Sequence, residues 1–135
     1  MSGIIAPGTI TLETEGVLTT SLVAKAVLPF AGKITGAYAV VSTAPTGAAL
    51  NFTLVNGAVN AGQFSIAAGG ETDEATITEA NTTFAKGTIL AVTISQIGSS
   101  YAGKDLTVAV TYEPASDAGA PLQYAYGFKT WAERN

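Results

Sequence analysis

The chain has no cysteine and no histidine among its 135 residues. Without cysteine there is no disulfide, so packing must hold the fold, and thiolate nucleophiles and Cys-ligated zinc or iron–sulfur sites are excluded. Without histidine the chain lacks the side chain that most often moves protons near neutral pH and most often ligates metals. Ser-His-Asp, Cys-His and His–metal chemistries are therefore ruled out by composition.

Charge is the next scarcity. Six basic and ten acidic residues make 12% of the chain, about half the roughly 25% of an ordinary globular domain. The net charge of −4 argues against nucleic acid, because phosphate binding needs clustered Lys and Arg. No basic amphipathic helix offers itself to a membrane surface, and no apolar run approaches the roughly 18 residues of a spanning helix. The segment Met1-Ser2-Gly3-Ile4-Ile5-Ala6-Pro7 lacks the basic and long apolar regions of a signal peptide, so synthesis in a cytoplasm is expected. Helical periodicity is missing as well, beyond a turn or two.

What is there is period two, the repeat of a half-buried strand. Ile10 and Leu12 alternate with Thr9, Thr11 and Glu13. Beyond Gly16, the residues Leu18, Leu22, Ala24, Ala26 and Leu28 alternate with Thr19, Ser21 and Lys25 until Pro29 ends the ladder. Ile34, Tyr38 and Val40 are expected on one face and Lys33 and Thr35 on the other. Leu50, Phe52 and Leu54 come next, then Asn56-Gly57 as a hairpin turn with positive φ at both residues. Phe64 and Ile66 mark the returning strand, and Ala75 and Ile77 a short weak one. Leu90, Val92 and Ile94 point inward against Ala91, Thr93 and Ser95. Leu106, Val108, Val110 and Tyr112 share the face of the last strand. This predicts an all-β, antiparallel jelly roll or β-sandwich of about eight strands over residues 1–113.

Residues 114–121 are rich in Ala, Gly, Asp and Pro and read as a flexible connector. Residues 122–135 form a short aromatic C-terminal arm. Its Tyr124, Tyr126, Phe128 and Trp131 are candidate interface residues, because aromatics are enriched at interfaces. Three readings stay open for them: packing on their own domain, docking on a neighbouring subunit, or a platform for stacking sugars. The outward strand faces carry Thr, Ser and Ala with Val23, Val27, Val41 and Val55 in place of Lys and Glu. Such a face suits burial between copies of the chain, so a homo-oligomer is expected.

Candidate chemistry is thin. Glu71, Asp73, Glu74 and Glu79 could supply oxygen ligands, but they lack the glycine and ligand spacing of a calcium loop and read as solvated. Glu13 and Glu15 flank an expected turn and Glu113 ends a strand, so no carboxylate pair for glycoside hydrolysis stands out. Lys86-Gly87 and Gly103-Lys104 lack the strand–loop–helix setting of a phosphate loop. Asn51-Phe52-Thr53 and Asn81-Thr82-Thr83 match glycosylation acceptors only by accident if no secretion signal accompanies them. No enzyme activity, metal or cofactor is expected.

Several segments resemble one family of proteins. They are Ala44-Pro45-Thr46-Gly47-Ala48-Ala49-Leu50, Asn56-Gly57, and Phe64-Ser65-Ile66-Ala67-Ala68-Gly69. Phe84-Ala85-Lys86-Gly87-Thr88-Ile89-Leu90 and the stretch Ile97-Gly98-Ser99-Ser100-Tyr101-Ala102-Gly103-Lys104-Asp105-Leu106-Thr107-Val108 continue the pattern. Together they resemble jelly-roll domains of bacteriophage virion structural proteins, including head decoration (cement) proteins, head fibres and tail-associated modules. The likeness runs from about Lys33 to Tyr112. The chain departs from it where Ala102-Gly103-Lys104-Asp105 and Gly87-Thr88 stand in place of Pro-Gly-Asp and Gly-Asp. The resemblance implies a capsid decoration subunit, a homo-oligomer with a trimer as the expected ring, bound to the major capsid protein on the virion surface. The alternative is a carbohydrate- or receptor-binding module of a tail or fibre, marked by exposed aromatics, for which Tyr38, Tyr101 and Trp131 are the candidates.

Overall fold

The computed structural model describes residues 8–115, and the arm with Tyr124, Tyr126, Phe128 and Trp131 lies outside them. Within the described residues the alternating segments form ten strands: β1 (Gly8–Val17), β2 (Leu22–Val27), β3 (Gly32–Thr43), β4 (Leu50–Asn56), β5 (Val59–Ile66), β6 (Thr72–Glu74), β7 (Thr76–Ile77), β8 (Thr83–Phe84), β9 (Ile89–Gln96) and β10 (Lys104–Pro114). A single 3-10 turn, Glu79–Asn81, lies between β7 and β8.

The strands make two antiparallel sheets packed as a β-sandwich. The first has the order β1-β10-β3-β6, with β8 also pairing β3, and the second the order β2-β9-β4-β5-β7. Between them lies one core whose largest fully buried members include Phe52, Leu18, Leu28, Ile34, Leu50 and Leu54. Phe52 and Phe64 sit opposite each other on β4 and β5 with rings stacked 4.5 Å apart. Alternation is cleanest in β4, β9 and β10. Leu90, Val92 and Ile94 are buried, as are Leu106, Val108 and Val110.

The alternation breaks where the ladders bulge. In β3, Thr111 of β10 pairs Gly36 while Tyr112 pairs Ile34, so Thr35 is an extra residue and the side-chain parity flips beyond it. Ile34 stays inside, but Ala37, Ala39 and Val41 turn inward and Tyr38 and Val40 face out. This corrects the expectation that Tyr38 and Val40 share Ile34's face and that Val41 points outward. A second bulge corrects the turn expected between Glu13 and Glu15. There β1 continues to Val17, with Glu15 and Gly16 together facing Asp105 and Gly16 at φ 89. The hairpin after β4 also differs by one residue. Asn56 pairs Val59, leaving Gly57 and Ala58 as the loop, and only Gly57 has positive φ (68°). That is the type II′ pattern, which places glycine first.

Asn56 is thereby freed to turn inward. It is 5% exposed, and its Nδ2 donates to the carbonyls of Asn81 and Thr83 at 2.9 and 3.0 Å. The side chain ties the hairpin base to the 3-10 turn. The short weak strand expected at Ala75 and Ile77 is present as β7, without Ala75, and forms part of a crossing. β6 pairs β3 of one sheet, β7 pairs β5 of the other, and β8 returns to β3. β10 runs to Pro114, whose lack of an N–H is tolerated at a strand terminus.

The face assignment of β9 carries a direct test. Leu90→Ala should lower unfolding free energy by about 2–5 kcal/mol. Thr93→Ser, half-buried on the opposite face, should stay within roughly 0.5 kcal/mol. Urea denaturation of the two variants beside the parent reads both.

Candidate functional site

The two outer faces of the sandwich differ in charge because their strands differ in sequence. The first sheet carries Glu13, Glu15, Lys33, Glu74, Lys104 and Glu113 among its charged residues. The five strands of the second contain one, Lys25. That second face divides along the strand direction. Toward the Gly57 hairpin the outward residues are Val27, Ile89, Ala91, Val55 and Asn60, with Val27 pairing Ile89 and Val55 pairing both Ala91 and Asn60, while Val59 pairs the inward Asn56 at the hairpin base. Val27, Ile89 and Val59 are respectively 64%, 46% and 43% exposed. Toward the other end the outward residues are Thr93, Ser95, Asn51, Thr53, Gln63 and Ser65, with Thr53 pairing both Thr93 and Gln63.

The apolar half lies at a distinctive end of the molecule. Gly8 and Ala115, where the described residues begin and end, are both there, since Gly8 pairs Tyr112 and the Ala115 amide donates to Ala31. Three aromatic rings cluster at the same end: Phe30 stacks on Tyr112 at 5.0 Å and leans against Phe84 at 6.0 Å. Phe30 and Tyr112 remain half-buried.

The polar half is hollow. Asn51, Thr53, Gln63 and Ser65 form its floor, Ser95 one side, and Asp73, Glu74 and Thr76 of the crossing segment the other, enclosing about 560 Å³. The Ser65 hydroxyl donates to Asn51 Oδ1 at 2.7 Å, and the Ser65 amide donates to Asp73 Oδ2 at 2.8 Å. A second hollow of about 440 Å³ sits on the outer face of the first sheet around Tyr38, Val40 and Ala109.

The acidic residues do not converge. Asp73 is engaged with Ser65, Glu79 pairs Lys33 at 3.4 Å on the surface, and Glu71 offers its backbone carbonyl to the Val41 amide. Among the described residues no group of three or more acids is placed to hold a metal ion. Glu13 and Glu15 sit in β1 and Glu113 in β10. Tyr38 is 52% exposed on the first sheet, whereas Tyr101 is half-buried in a loop bridged to Thr46, and the two share neither hollow. Trp131 lies outside the described residues. Asn81, a formal glycosylation acceptor, uses its side-chain amide to donate to the Asn60 carbonyl.

Asp105 stands apart electrostatically. It holds φ 55 opposite the bulge, accepts from the Gly16 amide at 2.7 Å and from the Ser42 hydroxyl at 2.8 Å, and so clamps β1, β10 and β3 together. The Gly16 hydrogen bond, then that of Ser42, holds its carboxyl below the usual carboxylate range. No protein-family model matches the sequence, and no curated protein matches it either.

A lowered folded-state value means that the Asp105 contribution is present above the unfolded carboxylate value of about 3.9 and is lost as pH falls through the lower folded value. Asp105→Asn keeps a residue that tolerates this φ but removes the charge and replaces one of the two accepting oxygens, which serve Gly16 and Ser42 separately, with an NH₂. It should lower the urea midpoint at pH 7 and flatten the parent's loss of stability below about pH 4. Urea midpoints measured across that range check both effects.

Proposed function

We propose that this chain is a structural subunit of a bacteriophage particle, a head decoration or cement protein. It forms a closed homo-oligomer, a trimer in the simplest case, and clamps onto the major capsid protein at the shell surface after synthesis in the host cytoplasm. The observation that carries this reading is the apolar half of the second sheet. Val27 and Ile89 are exposed side by side, with Lys25 the one charged residue in the strands of that sheet, at the end where the half-buried rings of Phe30 and Tyr112 also lie. Removing such a patch from water gains roughly 25 cal/mol per Å² of apolar area, and exposed apolar patches of this kind mark contact sites. A second copy suits it, because low charge lets like faces meet without repulsion.

Strand order supports the architecture this role implies. β1 beside β10, β2 beside β9, β3 beside β6 and β8, and β4 beside β5 alternate between the sheets, and a jelly roll, common in capsid domains, alternates its strand pairs in the same way. Many weak contacts repeated on a fixed lattice add up without any single tight one. The reading assigns the chain no catalysis.

Val27→Glu with Ile89→Glu places two unpaired charges in the proposed contact, at a cost of roughly 3 kcal/mol or more each if they are buried. The parent should sediment as a closed oligomer and the double variant as a 13.6 kDa species that still unfolds cooperatively, at a melting temperature lowered by the loss of the subunit contact. A monomeric parent sinks the assembly claim. Deleting residues 122–135, with the aromatic arm, should leave melting temperature within about 4 °C yet reduce occupancy on purified empty capsids. If deletion unfolds the protein, the arm belongs to the core and does not serve docking.

A further inference from the structure

The polar hollow on the second sheet has features that neither assembly nor shell binding requires. Its floor is built on the paired strands β4 and β5, so Asn51, Thr53, Gln63 and Ser65 are held at fixed spacing. Several of its polar groups are unused. The Thr53 and Thr76 hydroxyls and the Gln63 amide make no hydrogen bond among the described residues, Asn51 uses its oxygen and keeps Nδ2 free, and Asp73 keeps one carboxylate oxygen free. Donors and acceptors therefore face one space of about 560 Å³, within the usual range of ligand sites.

Elimination narrows the ligand. No Lys or Arg lines the hollow while Asp73 and Glu74 do, so phosphates, nucleotides and acidic sugars meet like charge. The rings of Phe52 and Phe64 are 1% and 3% exposed and turned to the core, so an apolar ligand finds no surface. A peptide cannot add as a strand there, because β7 pairs Gly62 and Gln63 and Asp73 takes the Ser65 amide. What fits is a neutral molecule dense in hydroxyls that both donate and accept. The free amide of Gln63, the Asn51 Nδ2 and the remaining Asp73 carboxylate oxygen together can donate to and accept from adjacent hydroxyls of a pyranose ring. We propose that the hollow walled by residues 73–76 binds a neutral glycan. This rests on the hollow alone and stands whether or not the chain coats a shell. With no aromatic ring to stack on, each site binds with a dissociation constant on the order of 1 mM; repetition of the site across an assembly raises the avidity.

The test is a titration of isotope-labelled full-length protein with maltohexaose, xylohexaose and chitotetraose, each to tens of millimolar, followed by amide chemical shifts. At least one should cause saturable shifts centred on Asn51–Thr53, Gln63–Ser65 and residues 73–76, while inorganic phosphate causes none there. Thr53→Ala with Gln63→Ala should weaken that binding by about tenfold or more with melting temperature unchanged. If the pair disturbs the fold, Thr76→Lys, on an exposed position of the wall, provides the same reading. No saturable shift with any of the three sugars, shifts mapping elsewhere, or binding indifferent to the variants overturns the proposal. Oligomer mass and capsid binding are read separately, so failure here leaves those results intact.

Discussion

On one side of each sheet the long strands β3 and β5 would lie open were it not for residues 71–84, while β1 and β2 form the opposite edges. On the first sheet this segment accepts the Val41 amide at Glu71, donates from Ala75 to Ala37, and accepts the Ile34 amide at Thr82. On the second it pairs β7 with Gly62 and Gln63, donates from Thr78 to Ala61, and brings the Asp73 carboxylate to the Ser65 amide. Open strand edges are templates for uncontrolled pairing, and here one segment closes two of them. The same crossing supplies the wall of the polar hollow and gives Asn56 its two carbonyl partners. Edge closure, the hollow and the anchoring of the hairpin thus share one cause.

Much of this was legible in the residues. Period two in β4, β9 and β10 assigns inward and outward faces correctly, because their residues lie in ladders that run regularly through the core. Tyr38, Val40 and Val41 were misplaced because Thr35 adds one residue, and nothing in Lys33-Ile34-Thr35-Gly36 distinguishes a bulge from a regular ladder. Of the short strands, β7 was foreshadowed by Ile77, while β6 and β8 escaped for another reason. Thr72-Asp73-Glu74 has low strand propensity and is extended only because β3 and β5 both need partners. The polar hollow was not readable at all, since Asn51, Gln63, Asp73 and Ser95 meet only once four separate segments are in place.

Electrostatics plays a small part in holding the molecule together. Lys33–Glu79 is an exposed pair at 3.4 Å, of a kind that contributes about 0–1 kcal/mol. Asp105 acts through directed hydrogen bonds to Gly16 and Ser42 more than through charge. The interior is aliphatic apart from the rings of Phe52, Phe64 and Phe84, and the described residues leave few charges on the second sheet. Stability should therefore respond weakly to ionic strength, while the uncharged face is free to serve contacts that salt does not screen.

The pairing has an arithmetic regularity. The residue numbers of partners add to nearly the same total for Thr9 with Thr111, Leu12 with Val108, Ala24 with Val92, Gly32 with Phe84, and Phe52 with Phe64. The chain is in effect one long hairpin with its tip at Gly57, bent so that successive lengths fall in alternate sheets. Thr9 and Thr111 are far apart in sequence, yet each pair formed from the tip outward shortens the loop that the next must close. A zipper running from Gly57 toward the ends would close each of those pairs at a much smaller entropic cost than its sequence separation implies.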